Sequence, residues 1–442
     1  MKLEILEGHS NYAAQPVKLT HFYPIEGADK ILRTVVFGND VVIAKGSYEV
    51  GDTVLYFRSG TRLSEDYCKY NNLYDVAEQN QDVNEKGYIS FKKRRVKAIK
   101  LRGVLSDGMV LPLHSLGAFI PVSTSEIKEG VDFNTINGAL VCDKYEVEIT
   151  QKANMNSSGS KEPKNKLKNL LVDDQFRFHH ETSHMAKNLH KLTLDSWVTI
   201  TEKFHGSSVI LSKVKVKRNL SWKERIAKKY FKIPIVETEY KGIWSSGKPK
   251  SKLPKGIEGL WKNSGEDFYK KDIWAKCWDD YNHAVEPGIS IYGELCNAGI
   301  QKGYDYSKYV NPNLETPQDY VFVIYRITRT NDVGIVDEFT WDQVVEYCKK
   351  YGLLTVPLLY DGTVQRLDVW GTGIDNIEDF YNLLANHIER KQCGYCANKV
   401  PNEGICIRVD TPYDVWKMKS KLFIQRENDA QEAGEVNIED QQ

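Results

Sequence analysis

Short apolar runs alternate with turn residues over the first ~115 positions of the chain. The segments 41–44 and 54–57 are apolar and are separated by Gly46 and the Gly51-Asp52 turn. Further along, 96–101 and 109–113 flank a hairpin signal at 106–108. Short strands with regularly spaced turns predict a small β-barrel in this region.

The second half of the chain mixes both periodicities. Segments 199–203 and 320–327 are rich in β-branched and aromatic residues and predict strands. A capping-box pattern at Thr340 predicts a helix that ends at Gly352. A second helix is predicted to open at Asn376, with one apolar face formed by Phe380, Leu384 and Ile388. Strands and helices that do not strictly alternate indicate an α+β fold.

Changes in composition predict the domain boundaries. Residues 1–150 would form the barrel domain, for which an oligonucleotide-binding (OB) barrel is one candidate. The polar stretch 151–174 is the best linker candidate, and 175–426 would form a second domain. The acidic segment 427–442 is predicted to be a disordered tail.

The net charge of zero conceals an asymmetry. Lys and Arg total 60, as do Asp and Glu, but 427–442 contains six acids and no base, which leaves 1–426 at +6. A moderately basic body suits a polyanionic partner. The basic stretch 91–97 could contact a phosphate backbone or could be a solvated, lysine-protected strand edge. Neither a secretion signal nor an apolar membrane span is evident, so we expect a cytoplasmic or otherwise intracellular protein without membrane contact.

Cys393 and Cys396 are the only closely spaced pair among eight cysteines. With His387 nearby they could form half of a zinc site, but no second pair at zinc spacing is present. Two incidental thiols in a loop are the favoured interpretation, and a disulfide framework is not expected.

Two segments could bind a phosphate. Residues 242–248 match a phosphate loop through its lysine, but Pro249 stands where a hydroxyl side chain is needed, so we reject this motif. In 202–206, Lys203 ends a strand and is followed by Gly206, whose backbone could approach a ligand closely. A lysine can act as a nucleophile when cations surround it.

Residues further along supply chemistry that a lysine nucleophile needs. Glu294 ends an apolar strand, 320–325 offers aromatic faces, and Glu403 precedes an alternating strand. Lys417 and Lys419, two positions apart, share one strand face. This set contains two acids, an aromatic surface and two cations. It fits a site in which a lysine attacks a nucleoside triphosphate. Taken singly, the acids could be salt-bridge partners, Phe322 part of the core, and the lysines a solvated strand face.

In this order the set resembles motifs I, III, IIIa, IV and V of the covalent nucleotidyltransferases, which are DNA and RNA ligases and capping enzymes. Residues 202–206 look like the E-K-x-H-G form of ATP-dependent RNA ligases, and 100–108 is similar to the branch with an N-terminal OB domain. The resemblance implies an N-terminal OB-like β-barrel followed by an adenylyltransferase (nucleotidyltransferase, ATP-grasp-like ligase) domain.

The resemblance also implies roles for individual residues. Lys203 would attack the α-phosphate of ATP to give lysyl-AMP, which passes AMP to an RNA 5′-phosphate before a 3′-OH seals the strand. Glu202 would recognise the adenine, and Phe322 would stack on it. Glu294 and Glu403 would bind Mg²⁺ or Mn²⁺. Lys417 and Lys419 would bind the α-phosphate. The substrate would be RNA with 3′-OH and 5′-phosphate ends, expected in a nicked duplex under repair, and the enzyme would be a monomer.

Three positions depart from the usual pattern or extend it. His205 stands where most ligases have Asp, and we assign it to AMP transfer. Lys248 is our candidate for the motif Ia residue that contacts the ribose or the RNA end. The basic stretch 213–229 is either an RNA-binding insertion or a solvated helix. His179, His180 and His184 are read as packing or substrate contacts.

Two alternatives remain open at this point. A DNA ligase or a GTP-using capping enzyme would use the same scaffold, but those enzymes usually place the OB domain after the transferase domain. A nucleic-acid-binding protein with an inactive transferase domain would still bind single strands with strong salt dependence.

Overall fold

A computed structural model describes the chain over residues 1–146, 171–246, 273–297, 300–301, 303–309, 320–370, 374–389 and 392–432. The described residues divide into two compact units. The first unit contains 1–146, 183–189 and 421–432, and the second contains 171–182 and the described residues of 190–420. In the described part of the chain, no helix combines the length and the apolar composition needed to cross a bilayer.

Six helices in the described residues are named here. They are α1 (Glu65–Tyr70), α2 (Trp222–Phe231), α3 (Ile273–Tyr281), α4 (Trp341–Tyr351), α5 (Ile377–Ile388) and α6 (Lys421–Glu432). The predicted capping box of Thr340 and the left-handed Gly352 bound α4, as expected. Asn376 caps α5, whose buried face is the predicted Phe380, Leu384 and Ile388. Helices and strands coexist without strict alternation, which confirms the α+β class.

Short antiparallel strands build the first unit. They are β1 (Leu3–Glu4), β2 (Gln15–Lys18), β3 (Tyr23–Ile25), β4 (Ala28–Val36), β5 (Asn39–Ala44), β6 (Thr53–Phe57), β7 (Thr61–Leu63), β8 (Ala98–Leu101), β9 (Val104–Asp107), β10 (Met109–Pro112), β11 (Thr135–Ile136), β12 (Ala139–Leu140), β13 (Cys142–Lys144) and β14 (Ser183–His184). The pairings run β10-β6-β2, β3-β4-β5, β8-β9, β13-β7 and β1-β11-β12. Apolar residues of β5 and β6 fill the core, as their sequence predicted.

The hairpin predicted at 106–108 is wrong. β8 pairs with β9, and the two strands are joined by Arg102-Gly103, whose φ angles are 47° and 86°. Two residues with positive φ make a turn that matches the twist of the flanking strands. β10 pairs with β6 instead of β8.

The prediction of disorder is wrong for 427–432, because α6 covers these residues and belongs to the first unit. Phe423 and Ile424 bury the apolar side of α6. Its acidic end contacts the basic stretch: Glu432 lies 2.9 Å from Lys97 Nζ. Glu432 is therefore neutralised by the basic stretch, which composition alone did not reveal. Residues 433–442 lie outside the described residues, as do 151–170 of the predicted linker.

Two sheets form the second unit. Its strands are β15 (Trp197–Lys203), β16 (Ser207–Lys217), β17 (Thr238–Ser246), β18 (Ile289–Asn297), β19 (Tyr320–Thr330), β20 (Val336–Glu338), β21 (Leu354–Thr355), β22 (Leu358–Thr363), β23 (Gly404–Asp410) and β24 (Tyr413–Lys419). One sheet has the order β17-β16-β18-β19-β20, with β21 parallel to β19. In the other, β24, β23, β15 and β22 lie side by side. β15 and β19 occupy the positions predicted for strands.

Candidate active site

Lys203 lies at the end of β15 and shares a sheet face with the two predicted lysines. Lys203 pairs with Gly404 of β23, and Gly404 pairs with Lys419 of β24. Directly paired residues of antiparallel strands point to the same face, and so do residues two positions apart. Lys203, Lys417 and Lys419 therefore occupy one face, as their spacing predicted for the two lysines of β24.

The Glu403 carboxylate lies beside the positively charged side chains of the site. Its side chain has 0% exposure, and its Oε1 lies 2.7 Å from Lys203 Nζ and 3.5 Å from Lys419 Nζ. His205 Nδ1 lies 3.8 Å from the other carboxylate oxygen. A buried carboxylate needs such partners, since an unpaired charge in a low dielectric is costly. Lys203, the candidate nucleophile, therefore lies beside the acid Glu403 and near a second cation, Lys419. Only a fifth of its side chain is exposed.

The glycine turn brings the second acid to the same place. Gly206 precedes β16, and a Cβ there would lie 2.3 Å from the Leu295 carbonyl oxygen of β18. Only glycine permits this approach to β18. The predicted approach of a ligand to the Gly206 backbone stays a prediction. Two residues later, Ser208 pairs with Glu294 and its Oγ lies 3.4 Å from Glu294 Oε2. Glu294 is buried.

Cys406 shows that these charged groups converge. Its thiol pKa is raised to about 11, chiefly by burial; Lys203 and Lys417 act to lower the pKa, and Glu403 and Glu294 act to raise it. Four charged side chains, three of them from different strands and Glu403 from the residue before β23, therefore lie close to one sulfur atom. Cys406 pairs with both Thr201 and Lys417, which places it on the lysine face. Sequence reasoning missed it, although its position two residues after Gly404 was a usable signal.

Comparisons with known proteins show which family the chain belongs to. The RNA ligase family profile matches residues 196–422, just over half of the chain. The chain belongs to the RNA ligase family. An OB-fold domain profile matches residues 14–113, which confirms the predicted N-terminal OB fold. The two matches together confirm the order predicted from the sequence, an OB-fold domain followed by a nucleotidyltransferase-like ligase domain.

Solved structures share the fold of this RNA ligase family member. Naegleria gruberi RNA ligase with PPi has 19% identity and a TM-score of 0.53 and covers 95% of this chain and 99% of its own. A mutant of that enzyme with AMP and Mn has 17% identity, a TM-score of 0.54 and coverages of 94% and 98%. Another mutant with ATP and Mn has 17% identity, a TM-score of 0.53 and coverages of 97% and 100%. No curated protein sequence matches the chain.

The Phe322 side chain is on the face of β19 opposite to Glu294. The prediction that Phe322 stacks on adenine beside Glu294 is therefore wrong for the arrangement described. Glu294 pairs directly with Val323, and the adjacent Phe322 therefore points to the opposite face of the sheet. Its ring packs 5.1 Å from the ring of Tyr281, and it is almost fully buried. The apolar run of β19 gave no information about which alternate residues face the site.

Tyr325 takes the site-facing position on β19 that sequence reasoning gave to Phe322. It is two residues after Val323, and its Oη lies 3.5 Å from Ser208 Oγ. Burial raises the pKa of the Tyr325 phenol well above its usual value; Glu294 raises it too, whereas Lys203 lowers it. Because Ser208 pairs with Glu294, the contact with Ser208 places Tyr325 on the side of β19 that carries the acid of the site.

Two further residues, Glu202 and Lys248, were predicted to contact the adenine and the ribose or RNA end. Glu202 is buried and alternates to the other face of β15 from Lys203, and its N–H donates to the Pro357 carbonyl at 2.9 Å. Its adenine-reading role stays a prediction. Lys248 lies outside the described residues.

An aromatic cluster that sequence reasoning missed supports the turn between Lys203 and Gly206. The Phe204 ring stacks on Tyr306 at 4.3 Å and contacts the Tyr395 ring at 5.7 Å. The His205 N–H donates to Tyr306 Oη at 3.0 Å, and its ring packs edge-on against Tyr304 at 4.9 Å. Tyr395, which belongs to the C-x-x-C segment, therefore helps to support the turn through its contact with Phe204.

The C-x-x-C pair, Cys393 and Cys396, lies next to Tyr395 of this cluster in the sequence. Cys396 Sγ accepts a hydrogen bond from the Asp305 N–H at 3.1 Å, and burial raises the pKa of Cys393. Among the described residues, no group of three or more His, Cys, Asp or Glu side chains could hold a metal ion. The pair therefore supports the segment that carries Tyr304 and Tyr306.

The predicted histidine cluster is divided between the two units. His179 contacts the rings of His180 at 4.8 Å and Tyr325 at 5.1 Å in the second unit. Burial, followed by Arg326, lowers the pKa of His180, which favours its neutral form. His184 belongs to the first unit, where its Nδ1 accepts the Ala186 N–H at 3.2 Å.

Proposed function

We propose that this member of the RNA ligase family uses ATP to join RNA 3′-OH and 5′-phosphate ends through lysyl-AMP and RNA-adenylate, as a nick-repair enzyme. The observation that carries the proposal is the Lys203 amine beside Lys419, with Glu403 between them. The Naegleria gruberi RNA ligase structures with ATP, AMP and PPi support it, since these are the substrate, transferred group and product of such a reaction.

In the first step Lys203 would act as a nucleophile. Its neutral amine attacks the α-phosphorus of ATP, a P–N bond forms, the α–β phosphoanhydride P–O bond breaks, and pyrophosphate leaves with the bonding electrons. Negative charge accumulates on the phosphate oxygens during attack. Lys417 and Lys419, on the same sheet face as Lys203, would stabilise that charge.

Glu403 controls the charge state of the nucleophile in this scheme. Its ion pair at 2.7 Å favours the ammonium form of Lys203, which has no lone pair. Attack therefore requires Lys203 to lose a proton and to leave Glu403. Because Lys419 Nζ lies 3.5 Å from the same oxygen, Glu403 keeps a cationic partner when Lys203 turns to the phosphate.

In the later steps the P–N bond is exchanged for P–O bonds. An oxygen of the RNA 5′-phosphate attacks lysyl-AMP, and Lys203 leaves and takes up a proton. We assign His205 to this transfer because its ring lies in the same charged cluster. The RNA 3′-OH then attacks the activated 5′-phosphate, and AMP leaves.

A divalent ion fits these residues only in part. Glu294 and Glu403 are buried carboxylates on the lysine side of the site, and they would hold Mg²⁺ or Mn²⁺. Since the described residues offer no group of three ligating side chains, phosphate oxygens and water would complete the coordination. When bound, the ion would supply positive charge beside the triphosphate.

The test is covalent labelling. The purified protein is incubated with [α-³²P]ATP and a divalent metal and run on a denaturing gel. The wild type and Lys349→Ala, an exposed helix lysine, should retain the label, and Lys203→Ala should lose it. An unlabelled wild type, or label that persists in Lys203→Ala, would refute the proposal.

The same assay separates the alternatives. Labelled ATP, GTP and NAD compete for one site, and nicked RNA and nicked DNA compete as acceptors. Preference for GTP would indicate a capping-type enzyme, and preference for DNA ends a DNA ligase. Tight RNA binding without label would indicate an inactive RNA-binding protein.

A further inference from the structure

Helix α2 connects β16 to β17 and is held by local interactions. The Ser221 side chain and the Glu224 side chain form a reciprocal capping box at its start. Glu224 also pairs with Arg218. Within the described part of the chain, none of its ten side chains is buried. A helix on a protein surface normally buries one apolar stripe, so α2 is unusual.

The exposed side of α2 carries an aromatic stripe. Trp222, Ile226 and Tyr230 are four residues apart and lie on one helical face. Their exposures are 66%, 38% and 68%. Large aromatic side chains exposed together at helical spacing indicate a contact surface rather than scattered surface residues.

Cations border this stripe. Lys223 Nζ lies 6.0 Å from the Trp222 ring, and Lys229 Nζ lies 5.3 Å from the Tyr230 ring. The helix sequence contains four bases and a single acid, Glu224. Since Glu224 is engaged by Arg218 and the capping box, the face presents net positive charge beside aromatic rings.

We propose that the α2 surface, formed by Trp222, Lys223, Ile226, Lys229 and Tyr230, binds single-stranded RNA outside the catalytic site. The proposal rests on the RNA substrate of the proposed function. Aromatic faces accept bases of any sequence by stacking, and lysines at their edges reach the phosphates between those bases. The two rings each have a lysine at their edge, an arrangement that matches alternating bases and phosphates of a single strand.

The experiment measures binding of a short fluorescein-labelled single-stranded RNA by anisotropy. We expect Trp222→Ala/Tyr230→Ala to raise the Kd by about 25-fold or more, since each of the two lost stacked bases costs at least about 5-fold in affinity. Phe231→Ala is the matched control, because Phe231 is 71% exposed on the same helix but faces away from the stripe. It should stay within about 2-fold of the wild type.

Salt dependence tests the cations separately. Lys223→Gln/Lys229→Gln should reduce the slope of log K against log salt by about 1.4, since each single-strand phosphate contact contributes about 0.7. Lys228→Gln is the control, because Lys228 lies off the stripe and pairs with Glu237. Its slope should stay closer to that of the wild type.

Three results would overturn the proposal. One is an unchanged Kd in the aromatic double variant. The second is a fall in its Tm, which would show that the stripe packs within the protein. The third is binding to phosphatidylserine vesicles that the double variant loses while its RNA affinity is unchanged, which would indicate a membrane surface. Lysyl-AMP formation is measured on the same variants and should not change, so failure here and failure of the proposed chemistry are distinguishable.

Discussion

At the scale of the residue, Glu403 organises the candidate site. It has no exposed side-chain surface and its carboxylate faces Lys203, Lys419 and His205. The negative charge of this one acid is balanced by the three side chains around it, which is what a fully buried carboxylate requires. Loss of that acid would leave two ammonium groups close together without their shared counterion.

We therefore predict that Glu403→Gln slows lysyl-AMP formation by about 100-fold, because Lys203 and Lys419 lose the carboxylate that positions them. Breaking a buried ion pair should also lower the free energy of unfolding by about 3 kcal/mol. Quench-flow labelling with ATP and urea denaturation measure the two effects. Glu346→Gln, an exposed acid on α4, is the control. A labelling rate equal to that of the wild type would contradict the role given to Glu403.

At the scale of the element, α6 and the stretch 91–97 form one electrostatic unit. Lys97 Nζ lies 2.9 Å, Arg95 Nη1 3.4 Å and Lys93 Nζ 3.8 Å from the Glu432 carboxylate. Arg95 is buried and also donates to Asn428 Oδ1 at 3.1 Å. Lys93 and Lys97 of the basic stretch are thus engaged with α6.

This arrangement predicts a pH-dependent contribution to stability. Burial raises the pKa of Glu432, but Lys97, then Lys93 and Arg95, outweigh it and hold the pKa below its ordinary value of 4.5. A lowered folded-state pKa stabilises the protein above the unfolded pKa, and the contribution is lost as the pH falls through the folded pKa. Glu432→Gln should thus cost about 1 kcal/mol at pH 7 and nothing in acid, measured by urea denaturation.

The control for this prediction is Asp429→Asn, which removes an exposed acid from the same helix. It should change stability by less than about 0.5 kcal/mol at either pH. Equal losses for Glu432→Gln at pH 7 and at low pH would show that packing rather than charge holds α6.

At the scale of the whole molecule, the cysteines are distributed through both units as thiols. All eight are free, and seven of them are buried. Burial raises the pKa of Cys68 to about 12 and that of Cys406 to about 11. The reactive thiolate is therefore scarce near neutral pH.

We predict that dithiothreitol leaves the Tm unchanged, since no cross-link is present to reduce. Iodoacetamide should alkylate the folded protein slowly at pH 7.5 and all eight thiols rapidly in guanidinium, as read by mass spectrometry. A mass that shows fewer than eight modified cysteines after denaturation without reductant would reveal a disulfide and contradict the structure.

Local signals in the sequence were sufficient for several elements. The caps at Thr340, Gly352 and Asn376 bound their helices because capping depends on residues three or four positions apart. The lysine pair on β24 followed from the two-residue period of a strand. The ordered motifs were likewise sufficient to indicate the RNA ligase family, since they depend on residue types and their order along the chain.

Register and long-range contacts decided the rest. Glu294 pairs with Val323 across a bulge between Tyr292 and Gly293, and a shift of one residue reverses every side chain on a strand. That is why Phe322 lies in the core and Tyr325 lies in the site. The helix at 421–432 depends on a basic partner more than 300 residues earlier in the chain. The sequence by itself determined which residues could carry the chemistry; only the tertiary structure decided which faces they share, because pairing partners distant in sequence set the direction in which each side chain points.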